Sequence, residues 1–288
     1  MLVKLNLGLR VSGLRRNKNN FLLFLIIFIL VFTSCENKTV FVIENDAISR
    51  TVKIEDGKLF TAEINNKRAG KSLLPLDAQE FQLRISEGTH IEGSDKVLSS
   101  EDFTFVKVLR DDKTTIGFLL ENKANQLEVE VYYELGKGDF YINKYLKIAS
   151  GEPVTLERID VETISLEDIY QPYTIKQITA QGSAKWRPGL GQPLYTATTG
   201  SFLGIEFPAS YNFVENGKGY CGYLWGKQIE SGEIYTTYKS VIGVSDSPEF
   251  TQDAFFNYID EIRVRPLRLQ VQYNSWFDFG NRVTKESF

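Results

Sequence analysis

The sequence has a single histidine, His90, two cysteines, Cys35 and Cys221, and one methionine, the initiator. A Ser-His-Asp or Cys-His site would have to run through His90, whose neighbours Glu87-Gly88-Thr89 and Ile91-Glu92 do not resemble one. His90 reads as a plain surface or strand-edge residue. Too few His and Cys remain to build a zinc site from them. No GxxxxGK[ST] loop and no strand-GxGxxG-helix unit is present, so no phosphate-binding cradle and no cofactor is expected. Any acid and base groups must then be carboxylates, which suits chemistries such as glycoside hydrolysis. No residue can be assigned a catalytic role, and no metal ligand set is found.

The first 34 residues lack acids altogether and carry five positive charges, Lys4, Arg10, Arg15, Arg16 and Lys18. They end in a 12-residue apolar run, Phe21 to Phe32, where spanning a bilayer takes roughly 20 residues. This is the plan of a secretory signal. From Cys35 onward, 254 residues hold 28 Lys and Arg against 37 Asp and Glu, a formal charge of −9. A negative domain does not suit a nucleic-acid partner or direct binding to anionic lipid.

The junction Val31-Phe32-Thr33-Ser34-Cys35 resembles a bacterial lipobox, with Phe32 departing from the usual aliphatic residue. The resemblance implies a mature N-terminus at Cys35, lipidated there. Each buried acyl CH₂ contributes about 0.8 kcal/mol, so a few chains hold a domain on a membrane without a spanning helix. The expected location is the bacterial cell envelope, lipid-anchored, facing the periplasm or the exterior. The membrane is then a partner through the N-terminal lipid only. Cys221 is left without a partner, as a small buried apolar residue, and no disulfide is expected.

After Cys35 the hydrophobic pattern has mostly period two. Ile48, Val52 and Ile54 run to a tight turn at Asp56-Gly57, and Leu59, Ala62 and Ile64 follow. Phe81, Leu83 and Ile85 alternate with Gln82 and Arg84, while Ile116 to Leu120 looks buried on both faces. Leu127, Val129, Val131 and Tyr133 alternate with Glu128, Glu130 and Tyr132. Further strands are expected at Phe140–Ile148, Thr155–Ile164, Tyr173–Thr179, Phe202–Phe207, Gly219–Leu224 and Ile234–Val244. Many strands with short polar turns predict an all-β, large antiparallel fold, a sandwich or a barrel. One segment, Ala180 to Pro193, reads as a long loop, in which Trp186 and Arg187 could contact a ligand or, equally, Trp186 could anchor the loop folded down onto the sheet.

The period changes once. Ser247-Pro248-Glu249 offers a cap, a first-turn proline and an early acid. Phe250, Ala254, Phe255, Tyr258, Ile259 and Ile262 then share one face, predicting a helix over Pro248 to Ile262. A fresh strand, Leu267 to Tyr273, follows.

Tyr273-Asn274-Ser275-Trp276-Phe277-Asp278 is similar to the first barrel strand of family 36 glycoside hydrolases, the α-galactosidase group. Members carry a galactose mutarotase-like β-supersandwich ahead of the catalytic (β/α)₈ barrel. Glu44-Asn45-Asp46-Ala47-Ile48-Ser49-Arg50 with Gly57-Lys58-Leu59 resembles the opening strands of that domain. Gly138 to Lys144 and Leu156-Glu157-Arg158-Ile159 resemble its middle. Gly191-Gln192-Pro193 and Phe202 to Pro208 resemble its last third. The resemblance covers about Val40 to Asp278. After the signal peptide read over 1–34, it implies a β-supersandwich over 35–246, a linker helix over 247–265 and an isolated first barrel strand over 266–288. It also implies that Trp276 lines a sugar site, with Asn274 and Asp278 close to it. The family's two catalytic aspartates stand on later barrel strands, so no residue here inherits either role.

Three accounts of function follow. In one, the chain is the non-catalytic N-terminal portion of an exported α-galactosidase-like hydrolase, inactive alone. In another, it is a carbohydrate-binding envelope lipoprotein without catalysis. A galactoside-like carbohydrate is the candidate partner in these two. In the third, it is a structural or envelope protein with no ligand.

Overall fold

The computed structural model describes residues 38–86, 95–172, 174–178, 184–188, 190–265 and 284. The chain divides into two compact units, Met1–Thr39, of which residues 38 and 39 are described, and Val40–Phe288, which holds every element below.

The fold opens with β1 (Val40–Glu44), β2 (Ile48–Glu55), β3 (Lys58–Asn66) and β4 (Lys71–Leu73), paired in that order as an antiparallel sheet. Strands β5 (Gln82–Ser86) and β6 (Lys96–Ser99) follow. An antiparallel meander comes next, formed by β7 (Thr104–Asp111), β8 (Thr115–Asn122), β9 (Leu127–Glu134) and β10 (Tyr141–Ser150). Long β11 (Val154–Ser165) returns to pair with β5. Then come β12 (Ile169–Tyr170), β13 (Thr174–Ile178), β14 (Ala184–Pro188), β15 (Leu194–Thr196) and β16 (Ser201–Ile205). Last are β17 (Phe213–Glu215), β18 (Lys218–Ile229), β19 (Ile234–Thr236) and β20 (Ser240–Val244), and then α1 (Thr251–Ile262).

Two larger sheets make the sandwich. One has nine strands in the order β12-β15-β16-β20-β10-β9-β8-β7, with β19 also on β10. The other has five, β17-β18-β11-β5-β6. Their alternation is that of a sheet with one wet face. On β9, Leu127, Val129, Val131 and Tyr133 are buried while Glu128 is exposed and Glu130, Tyr132 and Glu134 are half-buried. Their buried side chains join those of β5, β8, β10, β11 and β18 in one core. Burying each such Val, Leu or Ile contributes about 1.5–3 kcal/mol, largely offset by ordering the chain. Cys221 lies in this core as a free thiol, and burial raises its pKa, which keeps it unreactive.

The Asp56-Gly57 turn has φ of 50° and 73°, the left-handed pair that a two-residue hairpin needs. Three expectations are revised. The expected strand Ile234–Val244 is two strands. At the break, the Thr237 hydroxyl accepts from Leu146 N at 2.9 Å, in place of a ladder carbonyl. The expected helix start at Pro248 is a 3₁₀ turn, Pro248–Phe250, and Ser247 makes no side-chain cap bond. The long loop after Thr179 is in part a hairpin. Thr174–Ile178 pairs with Ala184–Pro188, where β-branched and aromatic residues favour pairing over a free loop. The expected strand Leu267–Tyr273 and His90 lie outside the described residues.

Candidate functional site

Two carboxylates meet in the core. Arg50 of β2 makes a fork to Glu162 of β11, Nη1 to Oε2 at 2.8 Å and Nη2 to Oε1 at 2.9 Å. Its Nη2 also reaches Glu80 Oε2 at 3.0 Å, just ahead of β5. Lys144 Nζ of β10 lies 2.8 Å from Glu80 Oε2 and 3.2 Å from Glu162 Oε1. The Tyr133 hydroxyl of β9 donates to Glu80, and Arg50 lies 4.5 Å from the centre of its ring. All four charged side chains are 1% exposed.

Two positive and two negative charges cancel. Burial pushes the Glu80 carboxyl up, but the charges of Lys144 and Arg50 outweigh it and hold its pKa well below the ordinary range. Burial, and then the Glu80 charge, push the Tyr133 phenol well above its ordinary value. No substrate reaches groups so enclosed. The network ties β2, β9, β10 and β11 together across the sandwich and is not an acid/base pair for a sugar.

The outer face of the nine-stranded sheet carries half-buried and exposed side chains. Helix α1 lies on part of it, with Ala254 and Tyr258 packed among Tyr141, Tyr195, Phe202 and Val241. Beside the helix, Glu206 Oε1 accepts from Asn143 Nδ2 at 2.8 Å and from the Tyr258 hydroxyl at 2.7 Å. Tyr141 donates to Glu261 at 3.2 Å, and Lys239 pairs with Glu134 at 2.7 Å. Burial, reinforced by neighbouring carboxylates, raises the phenols of Tyr141 and Tyr258, so both remain donors at neutral pH. Glu206, Glu134, Lys239 and Asn143 thus form a polar, half-buried patch able to exchange hydrogen bonds with hydroxyl groups.

Adjacent Tyr132 and Tyr145 stack on each other at 5.1 Å, opposite one another in register. Tyr132 also covers Gly117, where an added Cβ would lie 2.5 Å from its Cε1, and Lys147 sits 5.0 Å from its centre. These ring faces are occupied and offer no stacking platform for a sugar.

Among the sequence-predicted site residues, Trp186 and Arg187 stand on β14, in register with Lys176 and Ile175. They therefore belong to a hairpin strand rather than an open loop. Cys35, Asn274, Trp276 and Asp278 lie outside the described residues. Among the described residues no group of three or more His, Cys, Asp or Glu could hold a metal ion. Among them, too, no helix is long and apolar enough to cross a membrane. Sequence reasoning missed Glu206, Glu134 and Lys239. Its one available signal was the charged, outward-facing alternation along β9 and β10.

No protein-family profile matches the sequence, and no curated protein matches it. Solved structures do. The galactosidase domain of the alpha-galactosidase-sucrose kinase AgaSK is 14% identical with a TM-score of 0.51, covering 75% of this chain and 42% of that one. The GH36 alpha-galactosidase AgaB from Geobacillus stearothermophilus is 12% identical with a TM-score of 0.48, covering 75% of this chain and 41% of that one. A galactose mutarotase related enzyme from Lactobacillus acidophilus is 12% identical with a TM-score of 0.44, covering 72% of this chain and 98% of that one. The structural neighbours are therefore GH36 α-galactosidases and galactose mutarotase-like enzymes, as the sequence motifs imply. The likeness to AgaSK shows a shared fold, an antiparallel β-sandwich, of which this chain spans 42% of the galactosidase's length.

Proposed function

We propose that this chain is the N-terminal, non-catalytic portion of an exported α-galactosidase-like glycoside hydrolase. The observation that carries the reading is the order of parts. A sandwich shared with a galactosidase domain is followed by α1 lying on its outer face, and then by the sequence Asn274-Ser275-Trp276-Phe277-Asp278. The carboxylates brought together in the described core, Glu80 and Glu162, are sealed and cannot act on a substrate. Sugar contact by Asn274, Trp276 and Asp278 then belongs to the barrel that they begin.

The reading is tested with an aryl α-galactoside. The purified chain is expected to give no turnover, and turnover that survives rigorous purification would overturn the assignment. Anchoring is a separate measurement. The leader and the lipobox-like junction support a lipid-anchored envelope protein, facing the periplasm or the exterior. Mass spectrometry should find a mature N-terminus at acylated Cys35. An intact Met1, or a Cys35 amine without acyl mass, would rule this out.

A second reading is a carbohydrate-binding lipoprotein without catalysis. The half-buried polar patch of Glu206, Asn143, Glu134 and Lys239 favours it. Glycan-array binding that is lost in Glu206→Ala and Lys239→Ala supports this reading, and binding that both variants keep counts against it.

A further inference from the structure

At the end of the sandwich where β8 turns into β9, three clefts adjoin. One, of about 650 Å³, lies between β6 and β7 and is lined by Lys96, Asp102, Phe105 and Asn125 among others. A second, of about 470 Å³, includes Glu128, Gly151 and Ser231. The third, of about 260 Å³, includes Glu152 and Pro153. The first two share Glu121 and Lys123, the first and third share Ala124 and Asn125, and the last two share Gln126 and Ser150. They form one groove curving around the 3₁₀ turn Lys123–Asn125. The largest alone falls within the usual range of small-ligand sites.

The turn at its centre is rigidly placed. Asn122 accepts from Asn125 N at 3.1 Å, and Asn125 Oδ1 accepts from Lys96 Nζ at 2.7 Å. Gln126 adopts a left-handed backbone, φ 49° and ψ 38°, which favours glycine. Its Nε2 donates to Glu152 Oε1 at 2.8 Å, and its carbonyl accepts from Gly151 N at 2.8 Å. Gly151 makes room for it, since a Cβ there would lie 2.8 Å from Gln126 Oε1. An exposed amide thus stands at a backbone position that favours glycine.

We propose that this groove binds a neutral oligosaccharide. Beyond their bonds to Asn122 and Glu152, the Asn125 and Gln126 amides each keep one N–H that can donate to a sugar hydroxyl. Half-buried Phe105 offers the apolar surface, fixed edge-on against Phe118 at 6.4 Å. Glu121, Glu128, Glu152 and Asp102 outnumber Lys96 and Lys123, which turns away anionic ligands. Edge strand β7 borders the groove but carries two register shifts, between Phe105 and Lys107 and between Val108 and Arg110. Such bulges block the strand addition by which a peptide would dock. The proposal stands on the groove alone and does not rest on the galactosidase reading.

The test is saturation-transfer NMR on the detergent-solubilised full chain. Cellohexaose, mannohexaose and raffinose serve as neutral probes, and hexagalacturonate as the anionic one. At least one neutral probe should bind, and hexagalacturonate should not. Gln126→Gly relaxes the backbone while removing the amide, and Asn125→Ala removes a half-buried side chain while its backbone N–H keeps the bond to Asn122 Oδ1, so neither should unfold the chain. Thermal melts check this. Each should weaken the bound neutral probe tenfold or more. The proposal is overturned if no neutral probe binds, if hexagalacturonate binds as tightly, or if folded Gln126→Gly and Asn125→Ala lose less than tenfold.

Discussion

Arg50 and Glu162 stand 112 residues apart in sequence and form a two-pronged ion pair at 2.8 and 2.9 Å, with both side chains 1% exposed. The pair joins the opening four-stranded sheet to the five-stranded one through the core. Breaking a buried pair leaves an uncompensated charge, which costs about 3–5 kcal/mol. Glu162→Gln should therefore shift the urea midpoint strongly, with Arg50 and Lys144 left against a single carboxylate. A midpoint within error of wild type would mean that the network contributes nothing to stability.

The same network sets the pH range of the fold. Lys144 and Arg50, acting against burial, depress the Glu80 carboxyl. Its contribution is present above the unfolded carboxylate value, about 4, and is lost as pH falls toward the lower folded value. Burial raises the Tyr133 phenol, so its contribution is present below about pH 10 and is lost as pH rises further. Melting temperature should fall on both sides of that window. Glu80→Gln should lower the plateau and flatten the acid limb, and an acid limb of unchanged slope would count against Glu80 as its source.

Gly117 is read by its neighbour. A Cβ there meets the Tyr132 ring at 2.5 Å. Gly117→Ala should cost about 1–3 kcal/mol, as overpacking does. In a Tyr132→Ala background the same substitution should be nearly free, because the ring is gone. Additive effects in the double-mutant cycle would contradict this contact.

Tyr258 fastens α1 to the sheet, with its ring 4.7 Å from Tyr141 and 5.6 Å from Phe202. Tyr258→Ala should cost about 3–5 kcal/mol, as large aromatic truncations do. Tyr258→Phe removes only the bond to Glu206 and should cost about 1 kcal/mol. Amide exchange across Thr251–Ile262 should quicken in the first variant and change little in the second. Equal exchange in both would place the anchor elsewhere on the helix.

Period-two patterning made β2, β3, β5 and β9 legible, because each presents one dry face and the alternation records it, while β8 was legible as an apolar run buried on both faces. The helix was legible from Ala254 and Tyr258 in the same way. Lys144 was not, since an alternating Asn143-Lys144-Tyr145 gives no sign that the charged residue is the inward one. Its burial depends on Glu80 and Glu162, which come from distant strands. Glu206 was illegible for a similar reason, being held by partners 63 and 52 positions away. The hairpin of β17 and β18 had a signal in Asn216-Gly217, whose φ values of 52° and 77° form the tight turn. Trp186 and Arg187 were misjudged as loop residues because Gly182, Pro188 and Gly189 masked the pairing of their strand with Thr174–Ile178.

The central claim is that this chain begins a glycosidase. It is tested most directly by reading the nucleotide sequence downstream of the Phe288 codon in all three frames. The account predicts successive barrel strands ending in aspartates, in one frame or another. Unrelated sequence there would contradict it.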